Sequence, residues 1–193
     1  MLIRNATAFV GGCFCAGMEV RVHNGRIHEV GQGLAKGLYE DAIDLDGDFL
    51  LPGFVETHIH GYQGHDTMQG EAAVRAMSRG LFCAGVCAFR LVVASDYGFA
   101  AECVRRVMEN PEHHGAVVLG VCAGDEAPVS PLMAQQAFQN LLAWGVAPEE
   151  AVLMCTATPA DSVGEKLAGR IVAGAPAPLT RWSGEWTYKG ILA

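Results

Sequence analysis

Two histidines at alternate positions, His58 and His60, are the residues whose types and spacing most directly suggest chemistry. They follow an apolar segment that begins at Gly53, and residues two apart in a strand point to the same face of a sheet. Both imidazoles are therefore expected together at the carboxyl end of the strand, where α/β barrels place their catalytic groups. Neutral imidazoles suit zinc and similar divalent ions, but zinc normally needs three or four ligands. The pair predicts part of a metal site, and two buried histidines satisfied by backbone carbonyls are the alternative.

The opening segment, residues 1–52, has the pattern of short strands joined by tight turns. Asn-Gly at 24–25 and Asp-Gly at 46–47 are favourable for two-residue hairpin turns. By the same geometry the second turn would place Ile43 across from Leu50. This region is therefore predicted to be a small β-sheet unit of meander or sandwich type.

From Gly53 onward the pattern predicts a parallel α/β unit, because apolar strands alternate with amphipathic helices. The expected elements are a strand over 53–58, a helix over 71–82, a strand over 85–93, a helix capped by Asp96, a strand over 116–121, and helices over 132–144 and 148–158. Pro159 is expected to end the last helix. No fourth parallel strand is predicted, and the tail over 180–192 is expected to return to the opening sheet.

Composition excludes several classes of protein. The 193 residues carry 13 basic and 21 acidic side chains, and no basic run exceeds two residues, so nucleic acid is not an expected partner. Apolar stretches are too short to span a bilayer and the start lacks signal-peptide features, so we expect a cytoplasmic protein without a membrane partner. The 7 cysteines include no Cys-x-x-Cys pair and are expected to be reduced, mostly as small buried residues.

Four segments carry a family resemblance. Residues 44–61, which read DLDGDFLLPGFVETHIHG, resemble the start of the catalytic barrel in amidohydrolases. Residues 61–68 resemble the Gly-rich segment that follows the first barrel strand in N-acetylglucosamine-6-phosphate deacetylases. Residues 145–160 and 169–174 resemble the last barrel helix and the return to the β-sandwich. The sequence is therefore similar to this deacetylase family of the amidohydrolase superfamily.

The resemblance implies an α/β fold in which a partial (β/α) TIM-barrel-like hydrolase unit, residues 53–160, adjoins a small β-sandwich. Both chain ends, residues 1–52 and 161–193, would build that sandwich. Family members are roughly twice as long, so the barrel is expected to be internally shortened, without strands four to eight. Three strands leave open sheet edges, which predicts a homo-oligomer or a partner chain that covers them.

The resemblance also implies site residues. His58 and His60 match the metal-binding pair, with zinc as the favoured ion and iron as the alternative. Glu126 is the best match to the family's third-strand glutamate, although two extra residues precede it and Cys122 replaces the family histidine; a solvated loop carboxylate is the alternative interpretation. The catalytic aspartate has no matching position, and Asp125 could replace it only by rearrangement.

Three functions remain open. The first is metal-dependent hydrolysis of the N-acetyl group of an amino-sugar phosphate, with little or no activity expected if the missing barrel strands are essential. The second is a non-catalytic remnant or half-subunit that assembles with another chain. The third is a different amidohydrolase, such as a cyclic-amide hydrolase or a deaminase. His113 and His114 lie in a polar turn and are predicted to be solvated.

Overall fold

The computed structural model describes residues 1–110, 114–124 and 134–192. The strands in this part of the chain are β1 (Leu2–Val10), β2 (Cys13–His23), β3 (Arg26–Gly31), β4 (Ala42–Asp44), β5 (Phe49–Leu51), β6 (Phe54–Ile59), β7 (Gly61–Tyr62), β8 (His65–Asp66), β9 (Val86–Val93), β10 (Val117–Ala123), β11 (Leu179–Trp182) and β12 (Tyr188–Leu192). The helices are α1 (Glu71–Cys83), α2 (Tyr97–Glu109), α3 (Ala134–Ala143), α4 (Pro148–Cys155) and α5 (Ala157–Ser162), with a 3-10 turn at Thr67–Gln69. The chain is therefore a mixed α/β protein.

Strands from both chain ends form one seven-stranded sheet in the order β12-β11-β5-β1-β2-β3, with β4 also paired to β1. The predicted turn at 24–25 is confirmed, since Asn24 and Gly25 both have positive φ, 49° and 69°, and β2 pairs with β3 in antiparallel register. The predicted return of the tail is also confirmed, because β11 pairs with β5. The two-layer sandwich form of this region stays a prediction.

The predicted hairpin at 46–47 is wrong. Strands β4 and β5 do not pair with each other; both run parallel to β1, with Ile43 opposite Ile3 and Leu50 opposite Ala8. The long strand β1 offers backbone partners along its whole length, and Leu45 between the two short strands donates its N–H to the Arg4 carbonyl at 2.9 Å. The chain therefore continues in one direction along β1, and Asp46 and Gly47 form only a local turn between β4 and β5.

A second, three-stranded parallel sheet has the order β10-β9-β6, with α1 and α2 as the crossover helices. This confirms the strand–helix–strand alternation predicted from Gly53. The central strand β9 is buried along nearly its whole length, as expected for a parallel strand covered on both faces. Asp96 caps α2 as predicted, its carboxylate accepting a hydrogen bond from the Phe99 N–H at 3.0 Å.

After β10 the described residues contribute helices and no further parallel strand. The expected single helix over 148–158 is broken at Thr156, whose φ of −133° is not helical. The expectation that Pro159 ends a helix is wrong, because Pro159 lies in the first turn of α5. Backbone N–H groups in the first turn have no acceptor within the helix, so the N–H that proline lacks costs no helical hydrogen bond.

Buried aromatic side chains connect the two sheets. Trp182 of β11 is fully buried, and its ring lies 5.0 Å from that of Phe138 in α3 and 6.5 Å from that of Phe54 at the start of β6. At the same junction the Cys87 thiol donates to the Gly53 carbonyl and accepts from the Gly169 N–H, both at 3.2 Å. The start of β6 is therefore held by both β9 and the C-terminal segment.

Candidate metal centre

Strand β6 delivers both predicted histidines to one place. The Nε2 atoms of His58 and His60 lie 3.1 Å apart, with ring centroids 4.9 Å apart and ring planes at 73°. His58 is exposed and His60 half-buried. His58 near the end of β6 and His60 just after it therefore bring their imidazoles together at the carboxyl end of the parallel sheet.

The separation of the two nitrogens suits a shared metal ion. A tetrahedral ion bonded to two imidazole nitrogens at about 2.0 Å sets those nitrogens about 3.3 Å apart. The observed Nε2 to Nε2 distance of 3.1 Å is close to that value. Two imidazoles with converging nitrogens fit two positions of a zinc or iron coordination sphere.

Further ligands are not found among the residues that the structure describes. No group of three His, Cys, Asp or Glu side chains in those ranges could hold a metal ion. Glu126, the predicted third ligand, and Asp125 lie outside the described residues. Cys122, which the resemblance matches to the family histidine, is half-buried, and its thiol donates to the Leu91 carbonyl at 3.5 Å. Its role in the structure is thus a contact between β10 and β9.

His114 lies near the opposite end of the parallel sheet's strands from the histidine pair. It is exposed and precedes β10, so it is near the amino ends of the strands, whereas His58 is near the carboxyl end of β6. There it lines a cavity of about 310 Å³ together with Arg26 and Arg79. The structure therefore does not bring His114 to the histidine pair, and His113 lies outside the described residues.

Glu56 is a half-buried carboxyl residue near this site that the sequence reasoning did not single out. Burial raises the pKa of its side chain to about 7. Burial, with the charge of Glu56 as a smaller contribution, also raises the pKa of the Cys155 thiol at the end of α4 to about 11. The signal that could have identified Glu56 is its place two residues before His58 on the same strand, although β6 shifts register against β9 between Glu56 and Ile59.

A small hairpin follows the histidine pair. β7 and β8 pair around a turn in which Gln63 and Gly64 have φ of 51° and 80°, and the segment from His60 to Asp66 lines a cleft of about 390 Å³. The Asp66 carboxylate accepts a hydrogen bond from the Met68 N–H at 2.6 Å and so caps the following 3-10 turn. This cleft opens beside His60 and offers space in which a small ligand could lie.

Comparison with known proteins gives local sequence matches and a fold match over the whole chain. No family model matches the chain. A 69-residue segment, 35% of this chain, is 38% identical to an N-acetylglucosamine-6-phosphate deacetylase from Lysinibacillus sphaericus. A 43-residue segment, 22% of this chain, is 37% identical to a dihydroorotase from Trichlorobacter lovleyi. These matches span only 17% and 10% of the two relatives' own lengths.

Among solved structures, N-acetylglucosamine-6-phosphate deacetylase from Pasteurella multocida superposes with a TM-score of 0.71 at 11% identity. That alignment covers 100% of this chain and 97% of the other. At this identity the likeness establishes the fold alone. Together with the local sequence match, it confirms the resemblance to these deacetylases and other amidohydrolases that the sequence predicted. Among the described residues, no helix is long and apolar enough to cross a membrane.

Proposed function

We propose that this chain is a metal-dependent amidohydrolase of the N-acetylglucosamine-6-phosphate deacetylase type, which cleaves the N-acetyl group of an amino-sugar phosphate. The observation that carries the proposal is the His58 and His60 pair, with Nε2 atoms 3.1 Å apart, at the carboxyl end of β6. The fold match to a solved deacetylase supports the same interpretation. Residues 53–160 would form the shortened barrel-like unit, and residues 1–52 and 161–193 the β-sandwich.

In this proposal His58 and His60 hold a divalent ion, zinc before iron, and Glu126 supplies a third ligand. When bound there, such an ion would lower the pKa of a coordinated water and polarise the substrate's amide carbonyl. The chain's own contribution is to orient the two imidazoles on a strand that neighbouring elements hold, and to leave the cleft beside His60 open to substrate. No general base or phosphate-binding side chain is assigned, and a positioned base is commonly worth about 10²–10⁴ in rate. We therefore expect deacetylation to be slow.

The test is the metal content of protein expressed with added zinc and iron and purified without a metal-binding tag. Near-stoichiometric metal is expected in the wild type and in a His23→Ala/His28→Ala control, whose two exposed histidines lie on β2 and β3. The His58→Ala/His60→Ala variant should lose it. Equal metal content in all three proteins, or none in any, would overturn the metal site.

A second candidate is a non-catalytic half-subunit that assembles with itself or with another chain. The observation that favours it is the short parallel sheet, in which β6 and β10 each pair only with β9 among the described residues. Open edges of this kind are sites for pairing with another chain. Acetate release by the chain alone, measured beside its mass in solution, separates the two candidates: activity of a monomer contradicts the half-subunit, and activity only after a partner is added supports it.

The dihydroorotase match favours a third substrate class for the same site, a cyclic amide. Side-by-side assays with an N-acetylated amino-sugar phosphate and a cyclic amide would distinguish deacetylation from cyclic-amide hydrolysis. Preferential hydrolysis of the cyclic amide would contradict the deacetylase proposal and leave the metal site intact.

A further inference from the structure

Two cysteines on β2 form a close thiol pair that the proposed function does not use. The Sγ atoms of Cys13 and Cys15 lie 3.8 Å apart, with Cys13 exposed and Cys15 partly exposed. Buried structural cysteines were the sequence-based expectation, but the structure buries only Cys87 and Cys103 among those it describes. The pair is thus accessible to small ligands from solvent.

Packing on the opposite face of β2 holds the two thiols on one side. Phe14, the residue between them, packs with ring centroids 5.0 Å from Phe49 and 5.6 Å from Trp186. Because strand residues alternate between faces, anchoring Phe14 in this cluster directs Cys13 and Cys15 together to the other face. The hairpin turn immediately before Cys13 fixes the end of the strand, so little rearrangement is needed to bring the sulfurs to a common ligand.

The separation of the sulfurs suits chelation. A metal ion bonded to each sulfur at about 2.3 Å can bridge two sulfurs up to about 4.6 Å apart. At the observed Sγ to Sγ distance of 3.8 Å the ion would lie between them with a bent sulfur–metal–sulfur angle. Thiolates select soft ions such as Cu(I) over the hard cations that prefer oxygen.

We propose that Cys13 and Cys15 form a two-thiolate chelating site for a soft, thiophilic metal ion of the Cu(I) class. Binding replaces two S–H bonds with two sulfur–metal bonds and releases two protons, with no change in oxidation state. No third His, Cys, Asp or Glu among the described residues completes a larger cluster here, so within that part of the chain the proposed site has two protein ligands. The site is on β2 of the seven-stranded sheet and is separate from the histidine pair on β6 of the parallel sheet.

The probe is Cu(I) itself, added anaerobically to the full chain in the presence of a chromophoric Cu(I) chelator that reports how much metal the protein withholds. The wild type should withhold close to one Cu(I) per chain. Because losing one thiolate removes chelation, Cys13→Ser and Cys15→Ser should each weaken binding by at least roughly tenfold. Serine retains a donor for the Val10 carbonyl, which the Cys13 thiol contacts at 3.4 Å.

Two controls isolate the pair. Cys83→Ser removes an exposed thiol at the end of α1, and His58→Ala/His60→Ala removes the imidazole pair; both should withhold Cu(I) as the wild type does. Far-UV circular dichroism checks that each variant keeps its fold. Undiminished binding in Cys13→Ser and Cys15→Ser would overturn the proposal, and so would an equal loss in Cys83→Ser. Loss of zinc in the histidine variant with Cu(I) binding retained would separate the two sites.

Discussion

Replacing Gly53 with alanine tests how tightly the chain around the candidate metal centre is held. A Cβ at this position would lie 2.6 Å from the Cys87 Cβ and 2.6 Å from the Pro178 carbonyl oxygen. Neither atom can rotate away, because one is a backbone atom and the other is bonded directly to Cα. Since Gly53 immediately precedes β6, relief of the clash requires β6, β9 or the C-terminal segment to move.

The expected cost follows from overpacking a closed core, about 1–3 kcal/mol. For a chain of this size that corresponds to a fall in Tm of roughly 2–12 °C, at about 2–4 °C per kcal/mol. Gly184→Ala is the matched control, because its new methyl group would meet no atom within 4 Å and its φ is not in the left-handed region. Both substitutions reduce the entropy of the unfolded chain equally, so their difference reports the native contacts.

The assay is urea unfolding of the two variants and the wild type, followed by circular dichroism and by tryptophan fluorescence. Gly53→Ala should be less stable than Gly184→Ala by about 1–3 kcal/mol, and its metal content should fall if the shift reaches the histidine pair. Equal stability of the two variants would refute the close approach of Gly53 to Cys87 and Pro178, and with it the anchoring of β6 by β9 and the C-terminal segment.

Two further substitutions test the junction of the two sheets and an ion pair within the seven-stranded sheet. Phe138→Ala should cost about 3–5 kcal/mol in urea unfolding, because this ring is fully buried and lies 5.0 Å from that of Trp182. The control Leu38→Ala, at a side chain 87% exposed, should change stability by less than about 0.5 kcal/mol, and a similar effect of both would contradict the packing. Asp48 accepts a hydrogen bond from Arg181 at 2.6 Å; burial acts to raise its pKa, but hydrogen bonds from two basic side chains outweigh it and lower the pKa. Because the folded-state pKa is lowered, ionised Asp48 stabilises the fold above the unfolded-state pKa of about 4, and this contribution is lost as pH falls through the folded-state pKa. The free energy of unfolding of the wild type should therefore exceed that of Asp48→Asn by less at pH 3 than at pH 7. A difference that does not change with pH would contradict the ion pair.

Features that depend on neighbouring residues were predicted correctly. The turn at 24–25, the Asp96 cap and the strand–helix–strand alternation after Gly53 all appear, because each is set by backbone preferences or side-chain periodicity within a few residues. The spacing of His58 and His60 belongs to the same class. Residues two apart share a face in any strand, so the sequence alone predicted that the imidazoles converge.

Features that depend on distant residues were predicted less well. Asp46 and Gly47 favour a hairpin locally, yet β1 supplies the backbone partners for the strands on both sides of them. Pro159 would end a helix in isolation, but the break at Thr156 places it in the first turn of a new one. In both cases the local signal was real, and the tertiary partner changed its consequence.

The amino-acid sequence by itself determined the element types, the convergence of two imidazoles on β6 and the likeness to amidohydrolases. Only the tertiary structure decided that β4 and β5 follow β1, that burial raises the pKa of Glu56 to about 7, and that Cys13 and Cys15 are accessible rather than buried. The physical reason is the distance along the chain over which each effect acts. Propensity and alternation act over a few residues, whereas desolvation, strand pairing and solvent exposure depend on which distant segments pack together.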